Sequence, residues 1–351
     1  MEPVTHFLTG ACMGRAGLNR TSRWATATLV LAAEAPDLDI FYSFINRVRG
    51  FEFHRNYTHT FIGIPVVAGV VVAFMYGLYR WRRRKHPDME APRWGVLYGL
   101  ALLAGCSHIL LDFTNNYGVV PFMPFSYRWI SWDIVFIYEP LLWLFLIGGL
   151  VLPGLFGLIT QEVGYRKPKY RGQKGAITAL VLMVALWGVR AYEHDRALDA
   201  MNGMTFRGEE PISLSAYPYP LNFFHWYGVA ETPSLYEVMS INSNSGRVDA
   251  GHNARVVYKP EQTAITDAAE RSLLGRIYLW WAKYPVTETE EELGPGDRVE
   301  GYVVHFYDMR FMRLTRDRSP LGAWVELDKD LRVVGMGFRE RQPQLGRLRT
   351  P

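Results

Sequence analysis

Residues 60–85 read TFIGIPVVAGVVVAFMYGLYRWRRRK, which is twenty uncharged residues followed by a dense basic cluster. About 20 predominantly apolar residues are what an α-helix needs to cross a hydrocarbon core of roughly 30 Å. Lys and Arg beside a span mark its cytoplasmic end, because cytoplasmic loops carry an excess of positive charge. This stretch therefore predicts a membrane-spanning helix, and it decides the class of fold.

Three further apolar runs lie downstream, at residues 94–111, 140–160 and 175–189. The last is short, but Lys174 and Arg190 can lengthen it by extending their charged ends to the interface. Two apolar stretches of only ten or eleven residues lie upstream, at residues 4–14 and 24–33. Such lengths suit a re-entrant hairpin, a short core helix or an interfacial segment better than a full span. We expect an α-helical membrane domain of four to five spans, with an N-terminal re-entrant hairpin as one arrangement.

The pattern changes after residue 192, where charges become frequent and the apolar residues begin to alternate with polar ones. Alternating segments and segments rich in β-branched and aromatic residues are typical of strands, and they occur at residues 255–258, 298–306, 324–326 and 333–338. Turn residues cluster at 242–246 and 294–297, and the pattern at 264–282 favours a helix leading into a strand. We predict a helical membrane domain at 1–191 and a mainly β extracytoplasmic domain at 192–351.

The composition excludes several classes of function. The net charge of +4 comes with two basic clusters, within residues 80–93 and 161–174. Because both clusters lie between hydrophobic spans, they indicate membrane topology, and we expect no nucleic-acid partner. Two cysteines, Cys12 and Cys106, do not form a disulfide framework or a zinc knuckle by their spacing. The sequence also lacks a Gly-rich phosphate loop and a Gly-x-Ser-x-Gly motif, which disfavours ATP-driven transport and a serine hydrolase.

Histidines and carboxylates lie at the predicted ends of the spans, where ionisable groups are costly and therefore indicate function. If the two basic loops are cytoplasmic, His54, His59, His108 and Asp112 share the outer membrane face, together with Asp133 and Glu139. Independent segments that converge on one face are what a shared site requires.

The spacing of His108 and Asp112, four residues apart, places both side chains on one face of a helix. This suits two ligands of one metal, or one ligand and the carboxylate that orients it. Asp112 could instead cap the end of its helix, but a carboxylate is unfavourable near a helix C-terminus. His54 and His59 precede a span, and imidazole is the commonest metal ligand in proteins.

Asp37 and Asp39 follow Pro36, which ends the preceding apolar stretch. Two aspartates in an extended turn can direct one carboxylate at a metal and the other at a neighbour, although a solvated turn explains them equally well. His6 joins the same site only if the N-terminal segments form a hairpin that returns to the outer face. Arg55 and Arg128 are candidates for stabilising a phosphate or an oxyanion.

Four ordered motifs then resemble a family, the bacterial inner-membrane metal-dependent hydrolases that are also described as LexA-binding. They are VTHFLTGA at 4–11, EAPDLD at 34–39, HRNYTH at 54–59 and HILLD at 108–112. Residues 226–233 and 302–307 resemble the soluble extension that some members carry. Asn56 and Tyr57 depart from the small residues usual there, which concerns the loop shape rather than the ligands. The resemblance implies a membrane-bound hydrolase with metal ligands at His6, Asp37, Asp39, His54, His59, His108 and Asp112.

These residues predict a hydrolase of the bacterial inner membrane that holds one or two divalent ions, Zn²⁺ first and Mn²⁺ or Fe²⁺ next. Metal-activated water would attack a phosphoester, in preference to an ester or amide, of a lipid or other amphiphile. Asp39 or Asp112 would act as general base. The main alternative is a non-enzymatic scaffold or sensor with a structural metal. A metal or proton transporter is disfavoured, because the polar groups lie at one end of the spans only.

The predicted topology is tested with reporter fusions in intact bacterial cells. Alkaline phosphatase fused after residue 351 is expected to be active, because the C-terminus is predicted to lie outside the cytoplasm, where disulfides form. The same enzyme inserted in the basic loop at 80–93 is expected to be inactive, and green fluorescent protein at both positions serves as the inverse control. A C-terminal fusion that reports the cytoplasm would overturn the orientation.

Overall fold

The computed structural model describes residues 1–162, 172–250, 254–296, 298–311 and 321–338. Their contacts divide the chain into two compact units. The membrane unit comprises Met1–Ile40, Phe53–Asp195 and Tyr217–Phe223, and the β unit comprises Phe41–Glu52, Arg196–Ala216 and Phe224–Pro351. That 1–191 and 192–351 fold as separate domains stays a prediction, and the basic loop at 163–171 and the C-terminal tail from 339 lie outside the described residues.

The regular structure of the membrane unit is mainly helical over its described residues. Its helices are α1 (Pro3–Arg15), α2 (Ala25–Glu34), α4 (Gly63–Arg83), α5 (Trp94–Thr114), α6 (Pro140–Glu162) and α7 (Gln173–Met201). Among the described residues α4, α5 and α7 are long and apolar enough to cross a membrane, while the apolar part of α6 is described over Pro140–Phe156. The predicted runs at 60–79, 94–111, 140–160 and 175–189 thus fall on four separate helices.

Helices α1 and α2 form a hairpin whose two arms approach closely. The carboxylate of Glu2 caps α1 by accepting a hydrogen bond of 2.9 Å from the Thr5 amide, and Pro3 starts the helix. A side chain at Gly10 would collide with the Leu29 carbonyl, and one at Gly14 would collide with Thr26. Residue 10 therefore lies beside 29 and residue 14 beside 26, so the arms are antiparallel and the hairpin returns the chain to the start of α1.

Two apolar cores hold these helices together. One contains buried side chains of α2, α4 and α5, such as Leu29, Ala68 and Leu97. The other joins α1 with α5, α6 and α7 through residues such as Cys12 and Leu146. Helix α5 contributes to both cores, and it therefore fixes the positions of the helices and loops on either side of it.

Over its described residues, the β unit contains two sheets, two short helices and an excursion from the first part of the chain. Strands β1 (Ser213–Pro218), β2 (His225–Glu231), β3 (Leu235–Asn242) and β4 (Arg247–Asp249) are neighbours in that order, and β5 (Arg255–Tyr258) also pairs with β3. An antiparallel meander follows in β6 (Pro285–Leu293), β7 (Val299–Asp308), β8 (Ala323–Asp328) and β9 (Val333–Phe338). The excursion carries α3 (Arg47–Phe53), on which the Phe51 ring contacts those of Tyr278, Trp281 and Phe338.

The predicted fold class, a helical membrane domain followed by a mainly β domain, is confirmed. The strands predicted at 255–258, 298–306, 324–326 and 333–338 form, and Gly246 ends the predicted turn with a φ of 66°. The prediction of a helix leading into a strand at 264–282 is wrong in its second part. That region forms two helices, α8 (Ala264–Arg271) and α9 (Leu273–Trp281), because Ser272 accepts a hydrogen bond from the Gly275 amide and so starts a new helix.

Substitution of a buried ion pair can test the packing of the membrane unit. Arg190 and Glu139 have no exposed side-chain surface, and the guanidinium donates to Glu139 at 3.0 Å and to the Asn222 carbonyl at 2.7 Å. Arg190→Met is expected to destabilise the protein by about 3–5 kcal/mol, because it leaves a buried carboxylate without its partner. Adding Glu139→Gln should recover part of the loss, and the exposed Arg80→Met serves as control. Thermal unfolding in detergent measures the effect, and equal midpoints for Arg190→Met and the wild type would contradict it.

Candidate metal centre

Four side chains from three segments meet at one end of the membrane unit. Asp37 follows α2, His59 precedes α4, and His108 and Asp112 lie near the end of α5. The Nε2 atoms of His59 and His108 are 2.9 Å apart. His59 Nε2 is 3.3 Å from Asp37 Oδ1 and 3.4 Å from Asp112 Oδ2. His108 Nε2 is 3.5 Å from Asp37 Oδ1 and 3.3 Å from Asp112 Oδ2.

These separations fit a tetrahedral metal ion. Metal–ligand bonds of about 2.0–2.1 Å place the donor atoms of a tetrahedral site about 3.3 Å from one another. The five measured separations range from 2.9 to 3.5 Å. The four residues can therefore hold a metal ion with little movement, and the two carboxylates would balance the charge of a divalent cation.

Each histidine of this set is oriented through its other ring nitrogen. The Nδ1–H of His108 donates to the Ala33 carbonyl at 2.6 Å, at the end of α2. His59 Nδ1 lies 3.0 Å from Thr58 Oγ1 and 3.3 Å from Asp39 Oδ2. Metal-binding histidines almost always make such contacts, which fix the tautomer and direct Nε2 at the ion.

Asp39 holds together the loop that carries both His54 and His59. Its Oδ1 accepts from His54 Nδ1 at 2.8 Å, and its Oδ2 accepts from Thr58 Oγ1 at 2.8 Å and from the Arg55 amide at 3.2 Å. Burial alone would raise the pKa of Asp39, but the hydrogen bonds with His54 and His59 outweigh it and hold the pKa below its usual range. Asp37, Asp39 and His54 also form a second group of potential ligands.

Arg55 stabilises the opposite side of the centre. Its guanidinium donates to Asp112 Oδ1 at 3.0 Å and to Asn115 Oδ1 at 3.2 Å, and the side chain is 4% exposed. The backbone of Arg55 has a φ of 59°, a left-handed conformation that is uncommon for residues other than glycine. The hydrogen bond from the backbone amide of Arg55 to Asp39 helps to maintain this conformation. The amino group of Met1 also contacts Asp112 Oδ1.

Three of the four side chains of the centre are fully buried, and that of Asp37 is partly exposed. The side chains of His59, His108 and Asp112 have no exposed surface, whereas that of Asp37 is 12% exposed. Burial alone would lower the pKa of His59, but hydrogen bonds with Asp112, Asp37 and Asp39 outweigh it and raise the pKa to about 10. The carboxylates therefore stabilise positive charge at this position, which is the condition for binding a cation.

The structure thus brings together all seven residues predicted as ligands. His6 reaches the centre because the α1–α2 hairpin returns, and its Nε2 lies 3.5 Å from Asp112 Oδ1. Their assignment as metal ligands, and of Asp39 and Asp112 as catalytic residues, stays a prediction. Of the two arginines, Arg55 binds Asp112, while Arg128 is exposed on the loop that follows α5.

Sequence reasoning missed three contributors to the centre. Thr58 was identifiable, because it immediately precedes a candidate ligand and can bond to a neighbouring carboxylate. The Ala33 carbonyl could not be found, since any residue type provides a backbone oxygen. Glu34 is the third; it interacts electrostatically with Asp37 and His108, and its Oε1 has no hydrogen-bond partner within the described ranges.

The helices and the centre define a membrane protein with a cluster of His and Asp residues that can bind a metal. Comparison with known proteins also indicates a membrane protein. The chain belongs to the YdjM inner membrane protein family, whose model matches residues 1–197. This confirms the resemblance predicted from the motifs. The chain is 22% identical over 360 residues to the uncharacterized protein YfhP of Bacillus subtilis (strain 168), covering 98% of each. No solved structure matches the chain.

The arrangement predicts how two substitutions differ in their effect on metal binding. Asp112→Asn should abolish stoichiometric Zn²⁺ binding, because it removes a charged donor from the set. Asp39→Asn should weaken binding by about 10–100-fold, the usual effect of removing a carboxylate that orients a ligand. Competition with a zinc-chelating dye in detergent measures both affinities, and the exposed His86→Ala is the matched control. Unchanged affinity in Asp112→Asn would contradict the ligand assignment.

Proposed function

We propose that this protein is a membrane-embedded hydrolase that uses a divalent metal, preferably Zn²⁺, to cleave a phosphoester of an amphiphilic substrate at the outer membrane face. The observation that carries the proposal is the set of two imidazoles and two carboxylates at tetrahedral spacing. Nitrogen and carboxylate donors without thiolate suit Zn²⁺, Mn²⁺ or Fe²⁺. Structural zinc sites contain Cys ligands as a rule, so this donor set favours catalysis.

A divalent cation held by Asp37, His59, His108 and Asp112 would, by expanding its coordination from four to five, supply a bound water of lowered pKa. It would also supply a Lewis acid that polarises the phosphoryl group. The protein's part is to keep these donors in place. The Ala33 carbonyl holds His108, Asp39 and Thr58 hold His59, and Arg55 holds the carboxylate of Asp112. This pre-organisation leaves the side of Asp37 for the approach of water and substrate.

His54, held by Asp39, would accept the proton that the attacking water releases. The side chains of Asp39 and His54 are 8% and 20% exposed, and both contribute with Asp37 to the second group of potential ligands. The ionised Asp39 carboxylate binds His54 through Nδ1, which leaves Nε2 as the proton acceptor. Asp112, the other predicted base, belongs to the metal donors and has no exposed surface, so the proposal assigns it to binding.

The surroundings of the centre favour an amphiphilic substrate. Near the start of α4 and in the loop after α5, large apolar side chains are exposed; they are Tyr57, Phe61, Ile62, Phe122 and Phe125. The rings of Phe61 and Phe122 are 5.6 Å apart, so these two segments form one surface. Exposed apolar surfaces of this kind mark contacts with a membrane or an apolar ligand. A lipid-like molecule could therefore lie on this surface with its polar group at the centre.

A non-enzymatic protein with a structural metal is the second candidate. It is favoured by one observation, that four protein donors surround the centre, as they do in closed structural zinc sites. The two functions differ in the role of the residues that do not bind the ion. Only a hydrolase requires a proton acceptor such as His54.

The test is hydrolysis by the purified, Zn²⁺-loaded protein in mixed micelles of phospholipid or of a chromogenic phosphodiester. Wild-type protein is expected to release product, and chelation of the metal should abolish the activity. His54→Ala should retain the metal but lower kcat by about 100-fold, the usual contribution of general base catalysis. His86→Ala should match the wild type.

A protein that binds Zn²⁺ but hydrolyses none of these phosphoesters would favour the structural role. A protein that binds no stoichiometric transition metal would overturn both candidates. Equal kcat in His54→Ala and the wild type would remove the proton-transfer assignment and leave the metal centre intact.

A further inference from the structure

His6 is a buried imidazole that the protein does not satisfy. Neither Nδ1 nor Nε2 has a hydrogen-bond partner in the part of the chain that the structure describes, and the side chain has no exposed surface. Its ring stacks on His108, with 3.7 Å between the centroids and 18° between the planes. Burying a polar group without a partner is costly. Two unsatisfied nitrogens at the edge of a metal centre therefore indicate a ligand that the chain itself does not provide.

The carboxylates of the centre each present their second oxygen to His6. Asp37 Oδ1 and Asp112 Oδ2 each face both His59 and His108. Their other oxygens face His6 Nε2, with Asp112 Oδ1 at 3.5 Å and Asp37 Oδ2 at 3.9 Å. Two donors can bind one cation when they are closer than twice the bond length, which is about 4.2 Å. Both separations meet this condition.

We propose that His6 Nε2, Asp112 Oδ1 and Asp37 Oδ2 form a second divalent-cation site, so that both carboxylates bridge two metal ions. The inference rests on the proposed function, because it requires the first ion to be held by His59 and His108. Ions in two-metal hydrolytic sites are about 3.5–4 Å apart, a spacing that bridging carboxylates produce. The His6 site has three protein donors, as catalytic metal sites do, and keeps positions open for water or a phosphate oxygen.

The other group of potential ligands, Asp37, Asp39 and His54, is less suited to the second ion. Both oxygens of Asp39 already accept hydrogen bonds, from His54, Thr58 and the Arg55 amide. His54 Nδ1 is engaged in the first of these bonds. The unsatisfied atoms lie instead on the side of His6, since both of its ring nitrogens lack a hydrogen-bond partner among the described residues.

The charges around His6 are compatible with a second cation. Besides the two bridging carboxylates, Glu34 interacts electrostatically with Asp37, so a third acidic group lies near the centre. Two positive groups oppose them at Asp112 Oδ1, the Arg55 guanidinium at 3.0 Å and the Met1 amino group. A carboxylate oxygen has two lone pairs, so the cation would replace one of these two donors.

Two bridged ions change what the centre can bind. Together they carry four positive charges, and the two bridging carboxylates balance only half of them. The remainder favours an anionic ligand that spans both ions, which a phosphate group does with two of its oxygens. Such a clamp stabilises the attacking and leaving oxygens of a phosphoryl transfer. The second site therefore favours a phosphoester over a neutral ester or amide as substrate.

The experiment counts the metal in the full-length protein, purified in detergent and saturated with Mn²⁺ or Zn²⁺. Inductively coupled plasma mass spectrometry should find two ions per chain in the wild type and in His86→Ala, and one in His6→Ala. His54→Ala should retain two. The electron paramagnetic resonance spectrum of the Mn²⁺-loaded wild type should show a spin-coupled pair, and that of His6→Ala an isolated ion.

One ion in both the wild type and His6→Ala would overturn the second site and leave the proposed function standing. No ion in the wild type would overturn the proposed function itself. Two ions in His6→Ala with one in His54→Ala would place the second ion with Asp39 instead, which contradicts the proposal. Should His6→Ala fail to fold, an uncoupled Mn²⁺ spectrum of the wild type would be sufficient to overturn it.

Discussion

The arrangement of the membrane unit depends on keeping the Asp112 carboxylate out of water. A buried charge is tolerated only when it is paired and hydrogen-bonded, and Asp112 has no exposed surface. Its partners come from distant parts of the sequence, namely the loop before α4, the start of α1 and its own helix. Each of these segments must return to one point for the charge to be compensated. The hairpin of α1 and α2, the loop at 54–59 and the central position of α5 all satisfy this requirement.

The sequence predicted the components of the centre because their chemistry and their cost are both visible in it. Charges at the ends of apolar runs are rare, and the i, i+4 spacing of His108 and Asp112 places both on one helix face. The contacts between side chains of different segments could not be predicted from the sequence. That Asp39 orients His54 and His59 depends on the path of the loop, including the left-handed backbone of Arg55. The break at Ser272 also escaped prediction, since a single serine starts a new helix there and serine is also common within helices and loops.

The family model and the Bacillus relative match different lengths of the chain. The family model ends at residue 197, so it contains α1 to α6, most of α7 and all seven His and Asp residues of the centre. The sequence that follows residue 197 aligns with the Bacillus relative, whose match covers 98% of this chain. The excursion at 41–52 lies within the family region and yet belongs by its contacts to the β unit, where Phe51 contacts three aromatic rings. In the sequence, Asp39 lies two residues before this excursion and His54 two residues after it.

The α1–α2 hairpin has a consequence for the biogenesis of the protein. His6 and Asp37 stand at the open ends of its two arms, and the small residues Gly10 and Gly14 let the arms meet. An ion bound between those ends would hold the two arms of the hairpin together. Its binding free energy would therefore stabilise the folded state. The full set of ligands forms only after α4 and α5 have joined the hairpin. Metal loading would then be the last step of maturation, completed within the bilayer rather than on the nascent chain.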